Sequence, residues 1–336
     1  MSAPHDPAAG PHTARHTAPH AEPHVDPHVD SHVDPVPARW ERIAAHLGNV
    51  GGLTIRRAVP TPKRRMIAAW CFLDHAGPAD LTPDNAMRVG PHPHTGLQTF
   101  SWMIEGEVLH RDSLGSEQML RPGQVNLMTA GKGISHTEES QSDRLQLAQL
   151  WIALPDAVRD REPAFEHFPE LPSFATGGFD TMLLVGEFGG HRSPVPSHTP
   201  LLGVDLSAAR AAEATIPLHP DHEYGLMVLE GELSVTLDGE STGASQPGEL
   251  LYIAPGAQSL KLLSGGGKSR ALLLGGPPFG EPVLLFWNFV GRTREEMQVY
   301  AEEWNSREDG GRFGEVRGFD GPRLLAPVVP PLKTPR

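Results

Sequence analysis

Cysteine is nearly missing from this chain of 336 residues. The one thiol, Cys71, excludes a disulfide within the chain, so nothing in the composition asks for an oxidising compartment. Long apolar runs are missing too. No stretch approaches the ~20 residues of a membrane span, and the first residues lack the basic and apolar regions of a secretion signal. The expectation is a soluble cytoplasmic protein. Positive charge is scarce: 28 Lys and Arg stand against 41 Asp and Glu, a formal net charge of −13. That balance argues against direct, sequence-independent nucleic-acid binding, which needs a basic footprint, and against docking on anionic membranes.

Glycine (36) and proline (34) are abundant, which favours many turns and short strands over long helices. Residues 1–38 form a biased tail with histidine recurring every four residues from His12 to His32. Its prolines forbid the helix that would stack those imidazoles. It reads as disordered and partly polyproline II. A loose metal buffer is one reading; a solvated extension is preferred, because a floppy chain offers no fixed coordination geometry. Next, "ARWERIAAHLG" spaces Trp40, Ile43, Ala44 and Leu47 as a short amphipathic helix that Gly48 would stop. From Met66 to Leu154, glycines punctuate strand-like runs such as "LQTFSWMI", "QVNLMT" and "LQLAQLWIAL". The rhythm returns after about residue 200 with related phrasing. "WMIEGEVL" matches "MVLEGELSV", and "RPGQVNLMTAGKG" matches "QPGELLYIAPGAQ". The halves look like two copies of one β fold. Near the end, Thr293 and Glu296 form a capping box before a helix carrying Met297, Tyr300 and Trp304. A Pro- and Gly-rich strap closes the chain. The expected division is a tail at 1–38, a first domain at 39–170 and a second at 171–336.

The chemistry gathers in "GPHPHTGLQTF", where His92 and His94 stand at i and i+2, and in "GKGISHTEES", where His136 and Glu138 do the same. Residues two apart on a strand share a face. Two such pairs facing each other in a barrel would converge three imidazoles and a carboxylate, a set that suits a first-row transition metal.

These stretches, with "CFLDHAGP", "HRDSLG" and "LLLGGPPFGEPVLLFWNFVGRTREE", resemble the pirin family of bicupins over roughly residues 53–315. The resemblance implies an all-β protein of two tandem cupin (jelly-roll β-barrel) domains, with short helices near the N- and C-terminal ends. It implies Fe(II) on His92, His94, His136 and Glu138, with other divalent transition metals as alternatives. Some pirin relatives act as quercetin 2,3-dioxygenases. The implied partners are therefore a small aromatic substrate and dioxygen, with Glu138 as ligand and, when released, general base. The alternative is an iron-dependent, redox-sensing regulator that binds protein partners. A third reading is a metal-stabilised cupin with another reaction, such as isomerisation. Ala76, "LQTFSW", Asn126 and Leu127 depart from the family pattern and are expected to alter the pocket wall.

In the second half, His219 and His222 are spaced by three and read as loop residues, so that barrel is expected to keep the fold without the metal. His110, Asp112 and Ser113 read as turn chemistry, His75 with Asp74 as a structural pair, and Cys71 as a buried small hydrophobe. If the inward face begun at His92 continues along the chain, Gln98, Phe100 and Trp102 line the pocket. A bulge at Gly96 would reverse that assignment.

Overall fold

The computed structural model describes residues 39–306 and 311–330; the His-rich tail lies outside the described residues. The first twelve strands are β1 (Trp40–Ala44), β2 (His46–Val50), β3 (Leu53–Val59), β4 (Trp70–Asp80), β5 (Arg88–His94), β6 (Leu97–Glu105), β7 (Val108–Asp112), β8 (Glu117–Leu120), β9 (Val125–Thr129), β10 (Ile134–Ser140), β11 (Arg144–Ala153) and β12 (Ala164–Phe168). They build a seven-stranded sheet, β12-β9-β6-β11-β4-β3-β2, facing a four-stranded one, β5-β10-β7-β8.

The second half repeats this plan. Its seven-stranded sheet runs β1, Glu249–Ile253, Glu223–Glu230, Ser269–Gly276, Leu202–Ala208, Phe179–Val185, Ser173–Thr176. Its four-stranded sheet runs Ala212–Pro217, Ser259–Ser264, Leu233–Leu237, Glu240–Ser245. The matching phrases therefore occupy matching places. "IEGE" turns β6 into β7 at Gly106 (φ 87°), and "LEGE" makes the equivalent turn at Gly231 (φ 68°).

The seven-stranded sheets pack back to back. Phe100, Trp102, Leu150 and Ile152 of the first meet Met227, Leu250, Tyr252 and Leu272 of the second. Each fully buried side chain of this size contributes roughly 1.5–3 kcal/mol. The alternate residues of the same strands point into the barrels.

The helix expected at "ARWERIAAHLG" is not formed. The segment is β1 and β2. β1 pairs with the second barrel, from Trp40 opposite Ile253 to Ala44 opposite Glu249, while β2 pairs with β3. Eleven residues make a marginal helix in isolation. The open edge of Glu249–Ile253 offers a full ladder of backbone partners instead, and β1 fills the place there that β12 fills in the first sheet. Trp40 then packs on the second barrel's core and Ile43 on the inter-domain core, the two faces of a strand.

The C-terminal helix α1 (Arg294–Ser306) matches expectation. Glu296 N donates to Thr293 Oγ1 at 3.2 Å, and Thr293 N to Glu296 Oε2 at 3.3 Å. Among the described residues, no helix is long and apolar enough to cross a membrane.

The expected His75–Asp74 pair is also not made, because neighbours on β4 face opposite ways. Asp74 takes both ends of the Arg57 guanidinium, at 2.8 and 2.7 Å. His75 is fully buried and accepts from Gln146 Nε2 at 3.1 Å. Burial, reinforced by the positive Arg56, pushes the His75 imidazole down to about 4 from its ordinary 6.5. Between those values the unfolded chain binds a proton that the folded chain refuses, so stability falls as pH falls, by up to about 1.4 kcal/mol per pH unit. A His75→Gln protein should show a shallower loss of stability through this window in urea titrations than wild type. Identical slopes would refute the assignment.

Candidate metal centre

The register of β10 assembles the site. His136 lies opposite His92 on β5 and opposite Asp112 on β7, while Glu138 lies opposite His110. Paired residues of antiparallel strands share a face, so all these side chains point into the first barrel. His92, His94 and His136 bring their ligand nitrogens within 4.8 Å of one another, and all three are buried. His94 Nε2 and His136 Nε2 are 3.1 Å apart. Glu138 is buried beside them, 9 % exposed, but its oxygens are not within that 4.8 Å set. Between His136 and Glu138 the pairing with β5 slips by one residue. Glu138 Oε1 is 3.5 Å from Ser101 Oγ, which lies 2.8 Å from Gln149 Oε1.

Burial sets the protonation. It drives His92 down to about 4 and His94 and His136 well below 6.5, the mutual repulsion of the imidazoles acting in the same direction. Burial also raises Glu138, against the partial pull of His110 and Ser101. The three histidines are therefore neutral across physiological pH. Their tautomers follow from their partners. His92 Nδ1 is 2.9 Å from Gly90 O, and His94 Nδ1 is 3.1 Å from Asn288 O. A carbonyl only accepts, so both Nδ1 atoms carry the hydrogen and both Nε2 atoms present bare lone pairs inward. Buried lone pairs converging on one point need a cation, and imidazole nitrogens suit a transition metal. The donor set fits a metal.

The expected pocket wall changes. Gln98, Phe100 and Trp102 face the other domain, with Trp102 Nε1 donating to Asp205 Oδ2 at 2.8 Å. β5 and β6 belong to different sheets. The chain swings between them at Gly96 (φ 68°), where a Cβ would strike the Val290 carbonyl. The side-chain parity resets there, and Ser101 faces Glu138 instead. The aromatic wall comes from Trp151, edge-on to His94 with centroids 5.1 Å apart, and from Phe72 stacked on Trp151 at 4.0 Å. Leu127 lies in the inter-domain core, Ala76 in a first-barrel cluster, and Asn126 bonds His167 at 2.8 Å.

Asp112 does hold its turn, accepting from Leu114 N and Ser116 N at 2.9 and 3.0 Å. Sequence reading stopped there and missed that His110 touches His136, 3.4 Å between their Nδ1 atoms. The i, i+2 spacing of His110 and Asp112 was the available signal. Cys71 is buried and pushed up to about 12 by burial, so it offers no thiolate. In the second barrel, the strands equivalent to β5 and β10 turn Ala214, Ile216, Leu260 and Leu262 into an apolar core. His219 and His222 stack on each other outside it, 4.4 Å apart.

Two barrels of one plan, the first with a buried histidine centre and the second filled with aliphatic side chains, define a bicupin. The Pirin family model matches residues 52–152 and the Pirin C-terminal cupin domain model residues 203–313. The chain belongs to the pirin family. A Pseudomonas aeruginosa protein named "Putative quercetin 2,3-dioxygenase PA1205" is 49 % identical over 293 residues, 86 % of this chain and 90 % of that one. A "Pirin-like protein" of Caulobacter vibrioides is 34 % identical, over 77 % of this chain and 90 % of its own. The crystal structure of a quercetin 2,3-dioxygenase from Acinetobacter baumannii superposes with a TM-score of 0.82 at 46 % identity, covering 88 % of this chain and 97 % of that one.

Outer-layer changes at metal sites typically cost about 10–100-fold in affinity, so losing a ligand should exceed that range. Elemental analysis should find stoichiometric metal on wild type and on a His219→Ala protein, and none on His94→Ala. Retention by His94→Ala would remove the site from this barrel.

Proposed function

We propose that this chain is an iron-dependent dioxygenase acting on a flavonol-like aromatic enol of the quercetin type. The observation that carries this reading is the convergence of three neutral imidazoles beside a buried carboxylate. The names of the closely similar Pseudomonas and Acinetobacter proteins support it. His92, His94 and His136, with Glu138 as a fourth ligand, would hold Fe(II). When bound, the metal supplies Lewis acidity toward an enolic oxygen and redox chemistry with dioxygen.

The chain's own residues supply the rest. When released from the metal, Glu138 would accept the substrate hydroxyl proton. Ser101 Oγ stands 3.5 Å from the carboxylate and donates to Gln149 Oε1 at 2.8 Å. Trp151, edge-on to His94 and backed by the stacked Phe72, gives the site an apolar aromatic flank, and the hairpin around Asn288 screens His94 from water. Anaerobically iron-loaded protein should consume oxygen when given quercetin. Glu138→Gln should lower kcat about 100-fold or more, the usual weight of a general base. No oxygen uptake with quercetin or related flavonols would sink this substrate class.

A second reading is an iron-dependent redox regulator that binds protein partners. It is favoured by one contact: the His94 ring is held by the Asn288 carbonyl of the second half. A change at the metal would press directly on that segment. Pull-downs with ferrous and ferric protein should then differ, and identical partner sets would exclude it.

A further inference from the structure

The outward nitrogens of the three histidines do not end alike. Those of His92 and His94 end on backbone carbonyls. That of His136 ends on another imidazole, Nδ1 of His110, at 3.4 Å. Two facing nitrogens share one hydrogen, and the remaining partners decide which of them carries it. His110 Nε2 is 3.1 Å from Asp112 Oδ2. The other Asp112 oxygen accepts two backbone N–H groups, from Leu114 and Ser116. Asp112 is thus an acceptor at both oxygens. A neutral His110 donates from Nε2 and keeps a lone pair on Nδ1, so His136 donates from Nδ1. The Nε2 lone pair of His136 then points at His94 Nε2, 3.1 Å away. The His110 ring is clamped against Phe165, 4.4 Å between centroids and 15° from parallel.

We propose that His110 and Asp112 are positioning residues. They lock His136 in its metal-binding tautomer and strengthen it as a donor, through a relay that runs from the turn amides to Asp112, His110 and His136. The proposal rests on the reading of the three histidines as a metal centre. Carboxylates commonly orient metal-bound histidines directly; here a second imidazole is interposed. Asp112→Asn would offer an N–H where a carboxylate stood. It would reverse the relay and leave His136 protonated on the nitrogen aimed at the metal. His110→Phe keeps the ring's size and its stack but deletes both nitrogens. His110→Gln restores one acceptor and one donor.

The test is Co(II) titration of the full chain against a competing chelator, with the d–d absorption bands recorded. Asp112→Asn and His110→Phe should bind about 10–100-fold more weakly than wild type, with shifted bands. His110→Gln should recover both readouts. A purely packing role gives the opposite order, with Phe harmless and Gln harmful. If wild type binds one Co(II) and His110→Phe matches it in affinity and bands, the relay is overturned and the metal centre stands. If wild type takes up no Co(II), the metal centre fails and the relay with it.

Discussion

The pairing of β5 with β10 is the constraint on which the site rests. His136 opposite His92, and Ile134 opposite His94, follow from one register. A slip of one residue would turn His136 and Glu138 to the other face together. Several contacts hold the register. β7 pairs along the other edge of β10. Ile134 is anchored among Leu97, Met128 and Val290 in a buried cluster. The C-terminal strap ties β5 down through Leu324 N to Pro91 O at 2.9 Å. The four polar side chains do not fix the strands; apolar and backbone contacts around them do.

The duplicated plan makes the division of labour visible. At the places where the first barrel carries histidines, the second carries Ala214, Ile216, Leu260 and Leu262. A polar interior is costly unless each group has a partner. The first barrel lowers that cost by keeping its histidines neutral and bonding their outer nitrogens. Stability comes from elsewhere, chiefly the back-to-back packing of the large sheets, where Trp70, Phe100 and Tyr252 are almost wholly buried. The barrel filled with aliphatic side chains is part of the foundation of the one that carries the histidines.

What could be read from the sequence was local. The i, i+2 pairs, the glycine turns and the capping box each declare themselves within a few residues, so the barrels, the histidine cluster and α1 were legible. The missed features depend on partners far along the chain. β1 looks helical because Trp40 and Ile43 are three apart, yet its partner strand reaches Ile253. The wall residues were misassigned because parity does not survive the change of sheet at Gly96. His110 looked like turn chemistry because His136, which gives it a second role, lies on the neighbouring strand. The Asn288 carbonyl that orients His94 is 194 residues away in sequence.

Exchange of terminal segments binds these parts together. β1 leaves the first half to complete the second sheet. In return, the stretch after the second barrel crosses to the first: Phe289 bridges Thr95, and Ser135 Oγ donates to the carbonyls of Phe313 and Gly314. The Asn288 carbonyl arrives as part of this crossing and fixes the tautomer of His94. Neither half is complete alone. The histidine centre lies in one barrel, but the orientation of one of its three imidazoles is set by the other half of the chain. A barrel without the histidine cluster thus still shapes the centre, through the hairpin that follows it.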